Sequence, residues 1–258
     1  MVEVSIVGCG NLGSALIEGL ARSGGHRVTG YDVDPSAIDR VAPNCERRTT
    51  DLDEAAAGDA VIVAVKPDVV GSVVADLDLS PSQTLITAAA GVPKAFVEDR
   101  TDATVVRIMP NLAAASGEMA AAVTWDAVDE DVAALLADLG EYVEIPEEHM
   151  DVATALNGSG PAFVYFLLRA MQSAAVEEGL SPAQAETLAA QTFKGAAETV
   201  RRDDRSVDEL IDAVCSPNGT TIEGMEVLWD SDVEAEVGES LFAAAERSRE
   251  LAEEVDDE

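Results

Sequence analysis

The stretch Val4-Ser5-Ile6-Val7-Gly8-Cys9-Gly10-Asn11-Leu12-Gly13-Ser14-Ala15-Leu16 decides the fold. An apolar run ends in a G-x-G-x-x-G loop, and the loop opens into the amphipathic stretch Ser14 to Leu20. A second apolar run, Val28 to Tyr31, ends at Asp32, nineteen residues past Gly13. Strand, glycine loop, helix, strand and terminal carboxylate, in that order, describe the first βαβ unit of a dinucleotide-binding sheet. The first glycine permits the tight turn, the second lets a pyrophosphate approach the backbone, and the third lets the helix pack on the strand. A glycine-rich turn alone carries little information; its flanks make this one specific.

Asp32 bears on the choice of cofactor. A carboxylate there accepts hydrogen bonds from a ribose 2′-hydroxyl and repels a 2′-phosphate, so Asp32, with Asp34 nearby, leans the expectation toward NADH over NADPH. Arg40, Arg47 and Arg48 follow closely and leave a folded-back phosphate contact open. A helix cap or a solvated charge is the plainer reading of Asp32.

Outward from this unit the first half keeps alternating. Further strands are expected at Ala60–Val65, Thr84–Thr87 and Thr104–Ile108, with short edge strands at Ala121–Thr124 and Tyr142–Ile145. Helices are expected at Pro35–Arg40, Val69–Leu77, from Pro93, and around Val132 to Leu139. Continuous apolar runs such as Ala60–Val65 are what a parallel sheet covered on both faces requires. From Glu147 onward the strand signals stop and helical periodicity takes over. The fold class is therefore α/β: a Rossmann-type, doubly wound parallel sheet at residues 1–150, then an all-helical domain at 151–258. Helices are expected at Ala162–Val176, Pro182–Val200, Val207–Cys215, Ile222–Trp229 and Val233–Val255. Ala162–Val176 is apolar nearly all round and too short to be a membrane span, so other helices must bury it. A chain this short supplies few, and a second copy is expected to help through the helical domain.

Composition narrows the class. The chain has 258 residues, 47% of them apolar, enough for two modest cores. Fifty acidic residues oppose sixteen basic ones for a net charge of −34, shared between the two halves rather than gathered in a patch. Such a coat argues against nucleic acid and anionic membranes as partners and suits high salt, where self-repulsion is screened. No run is long enough to span a bilayer and Met1-Val2-Glu3 opens no charged signal segment, so a cytoplasmic protein is expected. The three cysteines, Cys9, Cys45 and Cys215, form no C-x-x-C pair, and no metal site is expected. The last residues, Glu253 to Glu258, read as a frayed acidic tail.

Chemistry in such a sheet belongs at the carboxyl ends of the strands. Val65-Lys66-Pro67, Ala89-Ala90-Gly91 and Met109-Pro110-Asn111 each end a strand with a proline or glycine, which is also ordinary loop punctuation. Lys66 is one of only three lysines. In the helical half, Asn157-Gly158-Ser159-Gly160-Pro161 and Ser216-Pro217-Asn218-Gly219-Thr220-Thr221 place glycines and hydroxyls at helix starts. Capping explains the residue types, and two such turns also offer N–H groups to an anion such as a substrate carboxylate.

Taken together, these motifs and Asp151-Val152-Ala153-Thr154-Ala155 resemble the pyrroline-5-carboxylate reductase family over almost the whole chain. Three residues depart from the family pattern: Asn157 stands where serine is usual, Asn218 where glycine is usual, and Asp32 where some members have a phosphate-binding residue. The resemblance implies reduction of the cyclic imine of pyrroline-5-carboxylate to proline by NADPH or NADH. It places the substrate carboxylate on Ser216, Gly219, Thr220 and Thr221, with Thr221 nearest the imine nitrogen as the catalytic hydroxyl. It places the pyrophosphate on Gly8, Gly10, Asn11, Leu12 and Gly13, the ribose on Asp32, and the nicotinamide beside Val65, Lys66, Pro67, Ala90 and Asn111. It also implies a homodimer that builds larger rings. The alternatives are a hydroxyacid-type dehydrogenase, for which Lys194 is the only lysine available in the helical half, and a non-catalytic nucleotide sensor.

Overall fold

The computed structural model describes residues 2–127 and 130–256. Its centre is one eight-stranded sheet in the order β3-β2-β1-β4-β5-β6-β7-β8. The strands are β1 (Glu3–Val7), β2 (Arg27–Tyr31), β3 (Arg47–Thr49), β4 (Ala60–Val63), β5 (Thr84–Thr87), β6 (Thr104–Met109), β7 (Met119–Thr124) and β8 (Gly140–Glu144). All neighbours are parallel except β6 and β7. The exception follows from chain length, because the few residues between Met109 and Met119 hold only the single turn Leu112–Ser116, too little for a parallel crossover.

The helices of this half are α1 (Asn11–Ser23), α2 (Pro35–Val41), α3 (Leu52–Ala55), α4 (Pro67–Asp76), α5 (Lys94–Glu98), α6 (Glu130–Leu139) and α7 (Met150–Ala153). Alternation along the strands divides the core in two. Ile6, Ile62, Ile86 and Ile108 face Leu16, Ile17 and Leu20 of α1 and Leu135, Leu136 and Leu139 of α6. Val7, Val61, Val63, Leu85 and Val105 face Val70 and Val74 of α4 and Val97 of α5. Each such fully buried side chain contributes about 1.5–3 kcal/mol, so the sheet forms a rigid platform.

Besides β3 and α3, which are absent from the expected elements, two stretches differ from expectation. β4 stops at Val63, two residues short of the expected Val65, although Ala64 still donates to the Val7 carbonyl at 2.8 Å before the chain leaves toward Pro67. Thr154–Ser159 is wound as π turns continuous with α7 and with α8 (Gly160–Glu177). Pro161 is therefore inside a helical run, and 157–161 presents no free helix start for an anion. The amide of Asn157 ties this widened turn down by donating to the carbonyls of Met109 at 2.6 Å and Ala120 at 2.9 Å.

The chain forms two compact units, residues 1–159 with 241–258, and residues 160–240. The expected division at 150 differs from this at both ends, with 151–159 and the final helical turns joining the sheet unit. The second unit holds α8, α9 (Pro182–Arg202), α10 (Val207–Val214), α11 (Thr220–Trp229) and the start of α12 (Val233–Asp256). Capping boxes of Ser181 with Gln184 and Ser206 with Glu209 fix the starts of α9 and α10. No residue of α8 is buried, and Tyr165 and Phe166 are 67% and 61% exposed. The acidic end is helical through Asp256, while residues 257 and 258 of the expected tail lie outside the described residues.

Candidate functional site

Register sets the site. Val7 pairs with Tyr31 and with Val63, and Val63 pairs with Thr87, so β1, β2, β4 and β5 end level. The loops that begin at Gly8, Asp32, Ala64 and Ala88 thus leave the sheet side by side. Between β1 and β4 the chain order reverses direction across the sheet, which is where open α/β sheets bind ligands.

At that crevice the glycine loop is shaped by close approach. Gly8 has φ +101°, and a Cβ there would lie 2.9 Å from Val65 Cγ1; a Cβ on Gly13 would collide with the Gly8 carbonyl oxygen. Gly8 therefore lets the loop pack on Ala64 and Val65, and Gly13 lets α1 pack on the loop and β1. Gly10 differs, since it is the exposed N-cap of α1 and a Cβ there meets nothing within 4 Å. The first turn of α1 carries no acidic residue, so its N–H groups and positive dipole end face open space. That combination fits a pyrophosphate, and Asn11 and Leu12 lie in the same turn.

Asp32 follows β2 directly. Its Oδ2 accepts the Cys9 N–H at 2.8 Å and its Oδ1 accepts the Asp34 N–H at 2.9 Å. A carboxylate has acceptor capacity beyond two bonds, so this half-buried group both holds the loop and can receive ribose hydroxyls. Of the three arginines near it, Arg48 lies 3.6 Å from Asp39 and Arg40 donates to the Ser36 carbonyl at 3.3 Å. Cys9 is fully buried with its thiol donating to the Tyr31 carbonyl at 3.3 Å. Burial, then the charge of Asp32, pushes that thiol up to about 12.

On the other side of the crevice, Lys66 is the exposed N-cap of α4, with Pro67 in its first turn and half-buried Val65 before it. Half-buried Ala90 lies in the loop after β5. Asn111, after β6, accepts the Ala113 N–H at 3.1 Å and donates to the Asn157 carbonyl at 3.1 Å. The eleven residues expected around a dinucleotide thus share one edge of one sheet.

Residues 147–251 match the family described as pyrroline-5-carboxylate reductase dimerisation, and residues 3–91 match NADP oxidoreductase coenzyme F420-dependent. The pyrroline-5-carboxylate reductase of Methanosarcina acetivorans is 37% identical, covering 96% of this chain and 97% of that one. The enzyme of Arabidopsis thaliana is 32% identical, covering 97% and 95%. The structure of Plasmodium falciparum pyrroline carboxylate reductase with NADP bound superposes with TM-score 0.86 at 28% identity, covering 97% and 98%.

The chain belongs to the pyrroline-5-carboxylate reductase family.

As a member it is an NAD(P)H-dependent oxidoreductase, and the family's dimerisation region spans its helical half. Within the second unit of this reductase, Ser216-Pro217-Asn218-Gly219 forms a turn closed by the Gly219 N–H on the Ser216 carbonyl at 2.9 Å. Proline at the second position and Asn218 at φ +60° make it a type II turn, for which asparagine is the best substitute for glycine. The turn delivers Gly219 as N-cap of α11, without a side-chain cap. Ser216, Thr220 and Thr221 are exposed beside that helix start. Lys194, on α9, is exposed.

The sequence reading overlooked three groups in the sheet unit. Asn157, read as part of an anion-facing turn and as a departure from the family pattern, is the tie between the π turn and the sheet. Lys94 is buried: burial pulls its pKa down, yet the partners Glu98 and Asp126 carry it above the ordinary value. Glu147 joins the backbone of Lys94 to buried Arg107. Among the described residues, no group of three or more His, Cys, Asp or Glu is placed to hold a metal ion.

Proposed function

We propose that this chain reduces the C=N bond of 1-pyrroline-5-carboxylate to give L-proline, the last step of proline biosynthesis. The observation that carries the reading is the uncapped, unobstructed start of α1 at Gly10, beside Asp32 at the switch point of a sheet whose chain matches this family throughout. When bound, the reduced nicotinamide supplies a hydride from C4. The chain's own residues do the rest. Gly8, Gly10, Asn11, Leu12 and Gly13 seat the pyrophosphate, and Asp32 takes the ribose. Val65, Lys66, Pro67, Ala90 and Asn111 border the nicotinamide.

Ser216, Gly219, Thr220 and Thr221 hold the substrate carboxylate on the N–H groups and hydroxyls at the start of α11. Thr221 hydrogen-bonds the imine nitrogen. A protonated imine is already electrophilic, so alignment of the two rings does most of the catalytic work, without an acid–base dyad. The test is loss of reduced-nicotinamide absorbance on adding pyrroline-5-carboxylate. Thr221→Ala should lower turnover while leaving cofactor affinity intact, and an unchanged rate removes Thr221 from the mechanism.

Three finer features belong to the same reading. NADH is preferred to NADPH, supported by the Asp32 carboxylate and by Val33, 79% exposed, in place of a cation beside it. The protein is adapted to high salt in the cytoplasm, supported by its net charge of −34. Finally, the chain pairs through 151–258 and the pairs assemble into rings, supported by the uncovered apolar face of α8.

A further inference from the structure

We infer that Glu147 and Asp151, one helical turn apart, are positioning residues that clamp the loop Ala88–Pro93 from its two sides and so set the floor under the nicotinamide. This rests on the dinucleotide reading above and deepens it. Neither carboxylate belongs to the site as described, and the loop they hold carries Ala90.

At the loop's far end, α5 begins without a side-chain cap. The Lys94 N–H instead donates to Oε1 of Glu147, fifty-three residues away in sequence, at 3.0 Å. The same oxygen accepts Nη1 of Arg107, which comes from β6 with its side chain 5% exposed. Arg107 stands in register with Thr87, the last residue before the loop. Glu147 therefore fixes both the strand below the loop and the helix after it. A charged acceptor shared by a backbone N–H and a buried guanidinium makes the stronger kind of hydrogen bond.

The loop's middle is fixed from another direction. Gly91 has φ +71° and lies directly against α12: a Cβ there would lie 2.7 Å from Leu251 Cβ and 3.1 Å from the Ser248 carbonyl oxygen. Ser248 is buried, and its hydroxyl donates to Oδ1 of Asp151 at 2.6 Å. Asp151 thus secures the helix that presses on Gly91, while Glu147 secures Lys94. Both act through other residues, and both lie in the short segment that leads into the Asn157 tie. The loop is held in place before any ligand arrives, which lowers the ordering needed for the nicotinamide to sit at hydride distance.

The test separates the two halves of the dinucleotide. Binding of NADH and of ADP-ribose, and of NADPH and 2′-phospho-ADP-ribose, is measured by calorimetry on the full chain for wild type, Glu147→Ala, Glu147→Gln and Ser248→Ala. ADP-ribose reports the glycine loop and the ribose contact at Asp32, and the difference reports the nicotinamide seat. For Glu147→Ala and Ser248→Ala we expect affinity for the reduced dinucleotide to fall about tenfold, with ADP-ribose affinity unchanged within about twofold. Glu147→Gln, which keeps an acceptor for the Lys94 N–H, should recover part of the loss. Equal weakening of both ligands, or of neither, in the variants that fold would overturn the clamp. Failure of wild type to bind ADP-ribose at all would instead overturn the dinucleotide reading on which it rests.

Discussion

The backbone N–H of Cys9 donates to Oδ2 of Asp32 at 2.8 Å, joining the glycine loop after β1 to the carboxylate that ends β2. One side chain thereby shapes the glycine loop, and in the function proposed above it also receives the ribose. Asp32→Ser should raise the NADPH-to-NADH ratio of kcat/KM by roughly tenfold or more, the scale of one charge-assisted hydrogen bond gained or lost. Parallel initial rates with the two cofactors decide it, and an unchanged ratio shows that the carboxylate does not reach the ribose.

The three glycines of the loop are not equivalent. Gly13→Ala forces a methyl group into the Gly8 carbonyl and should destabilise the fold by about 3 kcal/mol. Gly10→Ala faces open space and should cost about 1 kcal/mol or less, from a poorer N-cap, while sharply weakening dinucleotide binding. Thermal melts beside binding titrations distinguish them. Equal melting temperatures for the two variants would show that α1 is not held to the sheet at Gly13.

Cys9 gives the fold an alkaline weakness. Its thiol ionises near 9.0 when unfolded and at about 12 when folded, held up first by burial and then by Asp32. Below pH 9 both states keep the proton and stability is unaffected; as pH rises from 9 toward 12 the unfolded state alone loses it, and stability falls. Denaturant melts of Cys9→Ala should show a shallower decline over that range than wild type. Parallel declines would assign the loss to other groups.

The uncovered face of α8 and the net charge of −34 meet in one experiment. Sedimentation velocity in about 3 M potassium chloride, where charge repulsion is screened within a few ångströms, should show a dimer or a larger multiple of it. Dilution to about 0.1 M should loosen or dissociate that species. Phe166→Asp should sediment as a monomer at either salt; a dimer that survives the substitution places the interface elsewhere.

Much of this was legible in the sequence because the sheet is covered on both faces. Buried strands such as Ala60–Val63 read as unbroken apolar runs, and glycine and proline mark where they end. β3 was not legible, since Arg47-Arg48-Thr49 has no apolar pattern and pairs through its backbone at an edge. The Asn157–Pro161 stretch misled for a similar reason. Its glycines and proline have the composition of a loop, while the side-chain bonds that anchor the helical turn at Asn157 end on carbonyls of β6 and β7, far away in sequence. The Ser216–Thr221 turn was legible, because its type follows from local residues alone. Glu147 was invisible, because a carboxylate that caps a helix start fifty-three residues upstream leaves no local pattern.

Reduction by this chain is a direct hydride transfer to the imine carbon. The chain is supplied with pyrroline-5-carboxylate and reduced cofactor carrying deuterium at both C4 positions, and the product is weighed by mass spectrometry. Direct transfer gives L-proline heavier by one mass unit, with the deuterium on the ring carbon that had been part of the C=N bond. Unlabelled proline, or oxidation of the cofactor without proline, would contradict it.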